Sequence, residues 1–530
     1  MTKPSPVPRL PAGLLSPDAY PHDVQRPVLV VETHISWVLL TGPYAYKIKK
    51  PVRLSFLDYS TLDRRRKFCE EELRLNRRHA TDLYLGVSAI TGTVDAPRVG
   101  GDGEAFEYAV RMHQFDRAQE LDALVAADGV AVEEVEALGA RIARFHQAAA
   151  HADPAGPYGQ PDAVQRVTMA NFAELGRLPE AARWAALTSD LAAWAGAEHE
   201  RTRELLAARR HAGRVRECHG DLHCGNVVRW HGELDPFDGI EFDAALRFID
   251  VVSDLAFLTM DLAERGQRSL RRALLQSWTQ TLGDFESLRL LPYFEVYRAL
   301  VRAKVAALRA LQSPTAGRER ALDLGQAGRY LAWASRRTRC GAPGLVLTCG
   351  LSGSGKTWLA DAIARRLRAL HLRSDVERKR LAGLAPLDQS RSPPDGGIYT
   401  ADWTTRTYQR MYDCATDALC GGEHVIVDAA FLRRDERLRM LALADRQGVP
   451  AAIVHCTAPI STLRERVSRR AEQATDASEA DLATLARQTA WWEPFEESER
   501  SRVITIDTTA DDAVENCAAA LRRAGIAAAA

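Results

Sequence analysis

The sequence contains no apolar run near the roughly 18–20 residues needed to cross a bilayer as a helix, which excludes a helical membrane anchor within it. Its first residues, MTKPSPVPRLPAGLLSP, are rich in proline and lack the apolar centre of a secretory leader. Nine cysteines are scattered without a CxxC pair or the spacing of a zinc site. That pattern argues against a disulfide framework and against structural zinc, and it suits a reducing compartment, so a cytoplasmic location is the expectation. Aromatic residues are sparse at 7%, and 70 basic residues are balanced by 70 acidic ones, so composition offers no overall attraction to nucleic acid or to an anionic membrane. What remains is the makeup of a folded chain, with 46% hydrophobic and 26% charged residues over 530 positions. That length accommodates about two to four domains with buried cores.

Residues 1–25 read as a loosely packed, proline-rich arm. From about 28 to 110 the text is strand-rich, with PVLVVE, SWVLL and YAYKIKK in succession and a turn at Thr41-Gly42-Pro43. A helix is expected from Thr61 to about His79. From about 133 to 335 the text is helical, interrupted by a strand–loop–strand insert near 215–243. The small, irregular stretch RRTRCGAPG marks a boundary at 336–344, dividing the chain into domains 1–335 and 340–530. Beyond it, short apolar strands (344–349, 424–430, 451–456, 502–507) alternate with helices, which predicts a parallel sheet covered on both faces.

Within that second half, Gly350-Leu-Ser-Gly-Ser-Gly355-Lys356-Thr357 satisfies GxxxxGK[ST] between an apolar strand and the helix TWLADAIARRLRAL. Gly353 and Gly355 let the backbone curl so that N–H groups, those of Ser352 and Ser354 among them, point at phosphate oxygens. The helix start adds partial positive charge. Lys356 is placed to reach the β- and γ-phosphates, and Thr357 to offer a hydroxyl to Mg²⁺. ATP and Mg²⁺ are therefore the expected cofactors. Asp375 and Asp428 each end a strand-like run, where a carboxylate can serve Mg²⁺ or accept a proton, or can simply cap a helix. Further on, Arg464, Arg466, Arg469 and Arg470 crowd one helix end before the polar segment 473–478, as in an arginine lid over ATP or a solvated helix face.

The succession GLSGSGKT, LRSDVERKRLAG, VIVDAAF and an Arg-rich helix resembles the small P-loop kinases, among them gluconate kinase, polynucleotide kinase and the zeta-toxin-like enzymes, over about 340–525. The resemblance implies that Asp375 serves the acceptor hydroxyl and that Arg378 helps bind phosphate or acceptor; in the lid reading Arg466 binds the nucleotide and Arg470 acts in catalysis.

In the first half the densest text is HGDLHCGNVV (219–228), followed by FDGIEFD (237–243). A carboxylate in a tight turn, Asp221, can align a hydroxyl and take its proton, and Asn226 can present an oxygen to Mg²⁺ on the same loop. Glu241, Asp238 and Asp243 are available to complete a metal site. His219 and His223 lack the company of a zinc cluster and read as loop-ordering. These residues resemble the aminoglycoside phosphotransferase and choline kinase superfamily, whose loop is H-G-D-x-H-x-x-N. ALGARIARFHQAAA and FIDVVSDLAFLTMDL, with Asp250 and Asp254 at matching places, extend the resemblance over roughly 28–335.

The resemblance implies a two-lobed, protein-kinase-like fold, so the chain as a whole is expected to combine α+β and α/β classes. It also implies a strand lysine paired with a helix glutamate. Lys47 and Lys49 share a strand face, with Lys47 preferred, and Glu72 is preferred over Glu70 and Glu71. AVRMHQF, centred on Met112, would be the strand whose backbone meets adenine. Two departures stand out. No GxGxxG precedes the lysine, and Glu241 occupies the place expected for a metal-binding Asp. The leading expectation is a bifunctional phosphotransferase that moves the γ-phosphoryl of ATP to hydroxyl groups of small molecules at two sites. The alternatives are an ATPase or nucleotide sensor with a kinase-like binding module, and a nucleic-acid or nucleotide kinase.

Overall fold

The alternating text of the first hundred residues does build strands. In the computed structural model, which describes residues 9–54, 57–312, 317–339, 341–392, 396–473 and 476–527, β1 (Leu29–Glu32), β2 (Ser36–Leu40), β3 (Tyr44–Lys49), β4 (Tyr84–Gly92), β5 (Pro97–Val99) and β6 (Glu107–His113) form one antiparallel sheet in the order β1-β2-β3-β6-β4-β5. Period two divides β3 between its faces. Tyr46 and Ile48 join Trp37, Leu39 and Ala109 on one side, whereas Ala45 joins Val110 and Met112 on the other. Helix Leu62–Asn76, opened by the Thr61 side chain accepting from Arg64 N, contributes Cys69 and Leu73 to that second side.

The first side is covered by the N-terminal arm, and here the expectation of loose packing fails. Leu14, Ala19 and Tyr20 are buried against the sheet, and the Tyr20 hydroxyl donates to Leu14 O at 2.7 Å. The arm is apolar at the right positions to cover a sheet face that would otherwise meet water. Residues 1–8 of the expected arm lie outside the described residues.

These strands belong to the first of two compact units, Met1–Thr168 with Arg203–Arg265. The same unit holds helices Val132–Ala148 and Val251–Glu264, the antiparallel pair β7 (Val215–Glu217) with β10 (Phe248–Asp250), and the hairpin of β8 (Val227–Trp230) and β9 (Glu233–Pro236). That hairpin turns on His231 and Gly232, both at positive φ as a two-residue turn demands.

The second unit is Met169–Thr202 with Gly266–Ala530. Its centre is a parallel sheet of β11 (Leu345–Cys349), β12 (Leu370–Arg373), β13 (Val425–Asp428), β14 (Ala451–Thr457) and β15 (Val503–Asp507), ordered β12-β13-β11-β14-β15. Helices Lys356–Leu367 and Ala513–Arg523 bury Leu359, Ile363, Cys517 and Leu521 against Val346, Ile426 and Val454, while helix Ala401–Cys420 packs beside β12 and β13. The mixed fold class expected from sequence is the one observed.

The helices Arg268–Leu282, Leu291–Gln312 and Arg318–Arg337, expected with the N-terminal half, lie in this second unit. Ion pairs join them to it. Arg271 and Arg337 face Glu295 and Glu423 in a closed square, with Arg271–Glu423 at 2.7 Å, Arg271–Glu295 at 3.0 Å, Arg337–Glu295 at 2.6 Å and Arg337–Glu423 at 3.4 Å. Gln276 also caps the edge strand β12, its side-chain amide accepting from His371 N (2.7 Å) and donating to His371 O (2.9 Å), which occupies an edge that could otherwise pair with another chain.

Burial pushes the Glu423 carboxyl up, but Arg271 and Arg337 outweigh it and hold the group at about 2, against an ordinary 4.5. A depressed carboxylate contributes stability that is full above the unfolded value and is lost as pH falls toward the folded one. Glu423→Gln should therefore lower stability by about 3 kcal/mol at neutral pH. Denaturation midpoints of wild type and variant should converge as pH drops from 4.5 toward 2. Parallel midpoints across that range would show that the square contributes nothing.

Candidate functional sites

In the first unit the segment 219–226 links β7 to β8 and is fixed from behind. Asp254, fully buried on helix Val251–Glu264, accepts from His219 N (3.0 Å) and Gly220 N (2.8 Å) and lies 3.1 Å from His146 Nε2. Gly220 takes φ +88°, and a Cβ there would stand 2.8 Å from Leu246 O, so the turn requires glycine. His219 Nε2 faces Phe237 O at 2.9 Å and its Nδ1 accepts from Asp221 N at 3.3 Å; burial depresses its pKa, keeping the ring neutral. His223 Nδ1 accepts from Gly225 N at 3.1 Å. Both histidines order the loop. Asn226 Nδ2 donates to Asp221 O (2.9 Å) and Oδ2 (3.0 Å), so these two side chains are joined.

On the inner face of the sheet, Glu72 receives two lysines. Lys47 Nζ lies 2.9 Å from its Oε1 and Lys49 Nζ 2.7 Å from its Oε2. Glu70 pairs with exposed Arg66, and Glu71 with Arg74 and Arg247, so Glu72 alone of the three glutamates reaches a strand lysine. Lys47 also pairs with Asp238, whose side chain is 42% exposed. Burial pushes the Glu72 carboxyl up, yet the two lysines hold it below its ordinary value.

Two sequence expectations need correction. Glu241 is 5% exposed and is taken up by Lys49 and by the Tyr59 hydroxyl, which donates to it at 2.5 Å, so it does not stand free for a metal. Asp238, at positive φ just past β9, is the accessible carboxylate of the pair, and Asp243 instead accepts from Ala245 N as a helix cap. Met112, expected to offer backbone to adenine, has its backbone between two paired strands. It lies opposite Ala45 and Tyr84 inside the sheet, and its side chain is in the core. The chain leaves the sheet only after His113, with Gln114 N donating to Pro43 O.

In the second unit the segment 350–357 runs from β11 into helix Lys356–Leu367. Gly350, Gly353 and Gly355 all have positive φ, and a Cβ on Gly353 would stand 2.6 Å from Leu463 O. Ser352 N donates to Gln488 Oε1 at 2.7 Å, Ser354 is buried, and Lys356 Nζ spans the loop to Leu351 O at 2.9 Å. Burial lowers the Lys356 pKa against the pull of Asp428. Asp428 accepts from Thr348 Oγ1 (2.9 Å), lies 3.2 Å from His371 Nε2, and also bonds the Thr357 side chain. Burial raises its carboxyl, but His371, Lys356 and Thr357 hold it well below the usual range.

Asp375 sits in the first turn of helix Ser374–Leu381 and Asp428 at the end of β13, and neither is a helix cap. Lys356, Thr357, Asp375, Arg378, Asp428 and Arg470 line one cleft of about 760 Å³. Arg378, 8% exposed, donates to Ile398 O at 2.8 Å and lies over the Tyr399 ring, while its Nε has no hydrogen-bond partner. Arg466 reaches Thr508 Oγ1 (3.0 Å) and Gly353 O (3.3 Å), and Arg470 reaches Ala480 O (3.0 Å). Arg464 and Arg469 are exposed, and residues 474–475 of the expected lid lie outside the described residues. His371, Thr348 and Gln488 escaped the sequence reading. A histidine inside the apolar strand LHLR was the available signal, since a polar side chain in a buried strand must find a partner.

Residues 345–495 match the family model of the AAA domain. Over 479 residues the chain is 30% identical to uncharacterized proteins of Mycobacterium bovis and Mycobacterium tuberculosis, an overlap of 90% of this chain and 93% of each relative. Among solved structures, a gluconokinase from Sinorhizobium meliloti is 23% identical over 34% of this chain and 93% of its own, with a TM-score of 0.25. A choline/ethanolamine kinase family protein from Mesorhizobium loti is 11% identical over 60% of this chain and 92% of its own, with a TM-score of 0.35.

If Asp254 holds the loop, Asp254→Ala should leave two buried N–H groups without an acceptor, at about 1–3 kcal/mol. Hydrogen exchange at the His219 and Gly220 amides should then accelerate by roughly tenfold or more while strands β2 and β3 keep wild-type protection. Unchanged exchange at those two amides would refute the tether.

Proposed function

The chain belongs to the same family as the two mycobacterial proteins, and on that premise we propose that it is a bifunctional ATP-dependent phosphotransferase acting on hydroxyl groups of small molecules. The functional domains of this reading are 1–335 and 340–530. The observation that carries it is the cleft of the second unit, where Lys356, Thr357 and Asp428 share one cavity with Asp375 and Arg378. A phosphate-binding group and an acceptor-side carboxylate on one cavity are what in-line phosphoryl transfer requires.

In that cleft the backbone N–H groups of Gly353 and of 355–357, with the Lys356 ammonium, receive the β- and γ-phosphates. Thr357 and Asp428 offer hard oxygen donors, a set suited to Mg²⁺. Mg²⁺ held there would neutralise charge on the phosphate oxygens. Asp375 accepts the acceptor's hydroxyl proton as that oxygen attacks the γ-phosphorus, and the bond from the γ-phosphorus to the β,γ-bridging oxygen breaks to release ADP. Arg378, which lines the same cleft, anchors the acceptor. Arg466 and Arg470 close over the nucleotide.

In the first unit Asp221 takes the acceptor proton, Lys47 positioned by Glu72 holds phosphate, and Asn226 with Asp238 supplies oxygen donors for Mg²⁺. The oxygen-only donor set again suits that ion.

One observation favours a second reading, an ATPase whose first unit binds without transferring. The turn between β1 and β2 has no glycine and is closed by Lys50, which donates to Glu32 Oε1 (2.6 Å) and Thr33 O (2.5 Å). No phosphate cradle is offered there.

Turnover of γ-labelled ATP against a pool of hydroxyl-bearing metabolites separates the two. Lys356→Ala and Asp221→Ala should each abolish a different labelled product, with losses of about 10²–10⁴-fold. Release of inorganic phosphate alone, stopped only by Lys356→Ala, would establish the ATPase instead. Label on a 5′-hydroxyl oligonucleotide would move the second site to nucleic-acid ends.

A further inference from the structure

Strand β3 carries two lysines on one face, and they differ in depth. The Lys47 side chain is 13% exposed and pairs with Asp238, whereas Lys49 is fully buried. Two ammonium groups here face three carboxylates, those of Glu72, Glu241 and Asp238. The Glu72 carboxylate is divided between them, Oε1 to Lys47 and Oε2 to Lys49. Glu241 has Lys49 as its ion-pair partner and the Tyr59 hydroxyl as its other donor. Lys49 Nζ is itself 3.5 Å from that hydroxyl.

We propose that Lys49 is a positioning residue for the first unit's ATP site: it neutralises Glu241 and one oxygen of Glu72, which leaves Lys47 near the surface for phosphate. The inference rests on reading the first unit as an ATP site. The argument follows from where charge can go. A buried carboxylate deprived of its cation draws on the nearest remaining one. Without Lys49, Glu241 and Glu72 would both turn to Lys47, the only other ammonium in the cluster, and would pull it inward from Asp238 and from an incoming phosphate. A single lysine paired with a single glutamate would need no such device. The extra buried Glu241 makes it necessary here.

The test measures binding of the non-hydrolysable analogue AMP-PNP with Mg²⁺ to the full chain in a Lys356→Ala background, which silences the second unit's phosphate loop. Lys49→Met should weaken binding by about tenfold or more, and adding Glu241→Gln should restore it to within about threefold, because the double change removes one cation and one carboxylate together and so keeps the parent's charge balance. Lys49→Arg, which keeps the charge, should bind within about threefold of its parent. A lower melting midpoint in Lys49→Met would follow from any buried ion pair, so the diagnostic readouts are affinity and its rescue. Should Lys49→Met fail to fold, the double variant and Lys49→Arg carry the comparison, and weak binding by both would overturn the proposal. If Lys47→Met weakens binding and Lys49→Met does not, Lys49 is only a structural ion pair. If neither the parent background binds nor Lys47→Met changes anything, the ATP-site reading falls and the positioning role with it.

Discussion

Asp254 has no water to face. Its two oxygens accept backbone N–H groups from His219 and Gly220, and the ring of His146 stands against one of them. An unmatched carboxylate at that depth would cost several kcal/mol, so the loop must present its N–H groups there or the unit does not form. The shape of the loop follows from this match. Gly220 bends because Leu246 O leaves no room for a side chain, and Asn226 reaches back to Asp221 from the far end of the same turn. The side chains proposed for chemistry stand on the opposite side of a backbone whose inner side is already committed.

The same constraint recurs in the second unit. Asp428 is buried under Lys356 and satisfied by Thr348, His371 and Thr357. His371 in turn has its backbone held at the sheet edge by Gln276. Further out, the square of Arg271, Arg337, Glu295 and Glu423 ties three helices to the loop that precedes β13. The phosphate-loop sheet is therefore completed by helices that come before it in the chain, and the helical text up to 335 does double duty. Its polar residues face the sheet edge, which a purely apolar helix could not cap.

How much of this could be read from the letters varied with how local the interaction was. The P-loop, the H-G-D-x-H-x-x-N run and the strand alternation are statements about neighbours along the chain, and the structure folds them as written. Glu241 and Met112 are the instructive misses. Position along the chain points to both, yet the fate of each depends on depth. Glu241 is drawn inward by Lys49, and Met112 stays within the sheet because β6 runs one residue further before the chain turns out. The N-terminal arm misled for a related reason. Its prolines signalled irregular backbone correctly, but irregular backbone still buries Leu14 and Tyr20 when a sheet face lies open beside it.

The sequence alone determined the phosphate loop, the order of strands and helices in both halves and the candidates Asp221, Asn226, Asp375 and Arg378, because glycine placement, periodicity and motif spacing act within a few residues. Only the tertiary structure decided that Glu72 is shared by two lysines, that Asp238 and not Glu241 remains accessible, and that helices expected with one half are bonded to the sheet of the other. Those outcomes are settled by which charges are buried together, and charges brought together by folding can lie more than a hundred residues apart in the chain.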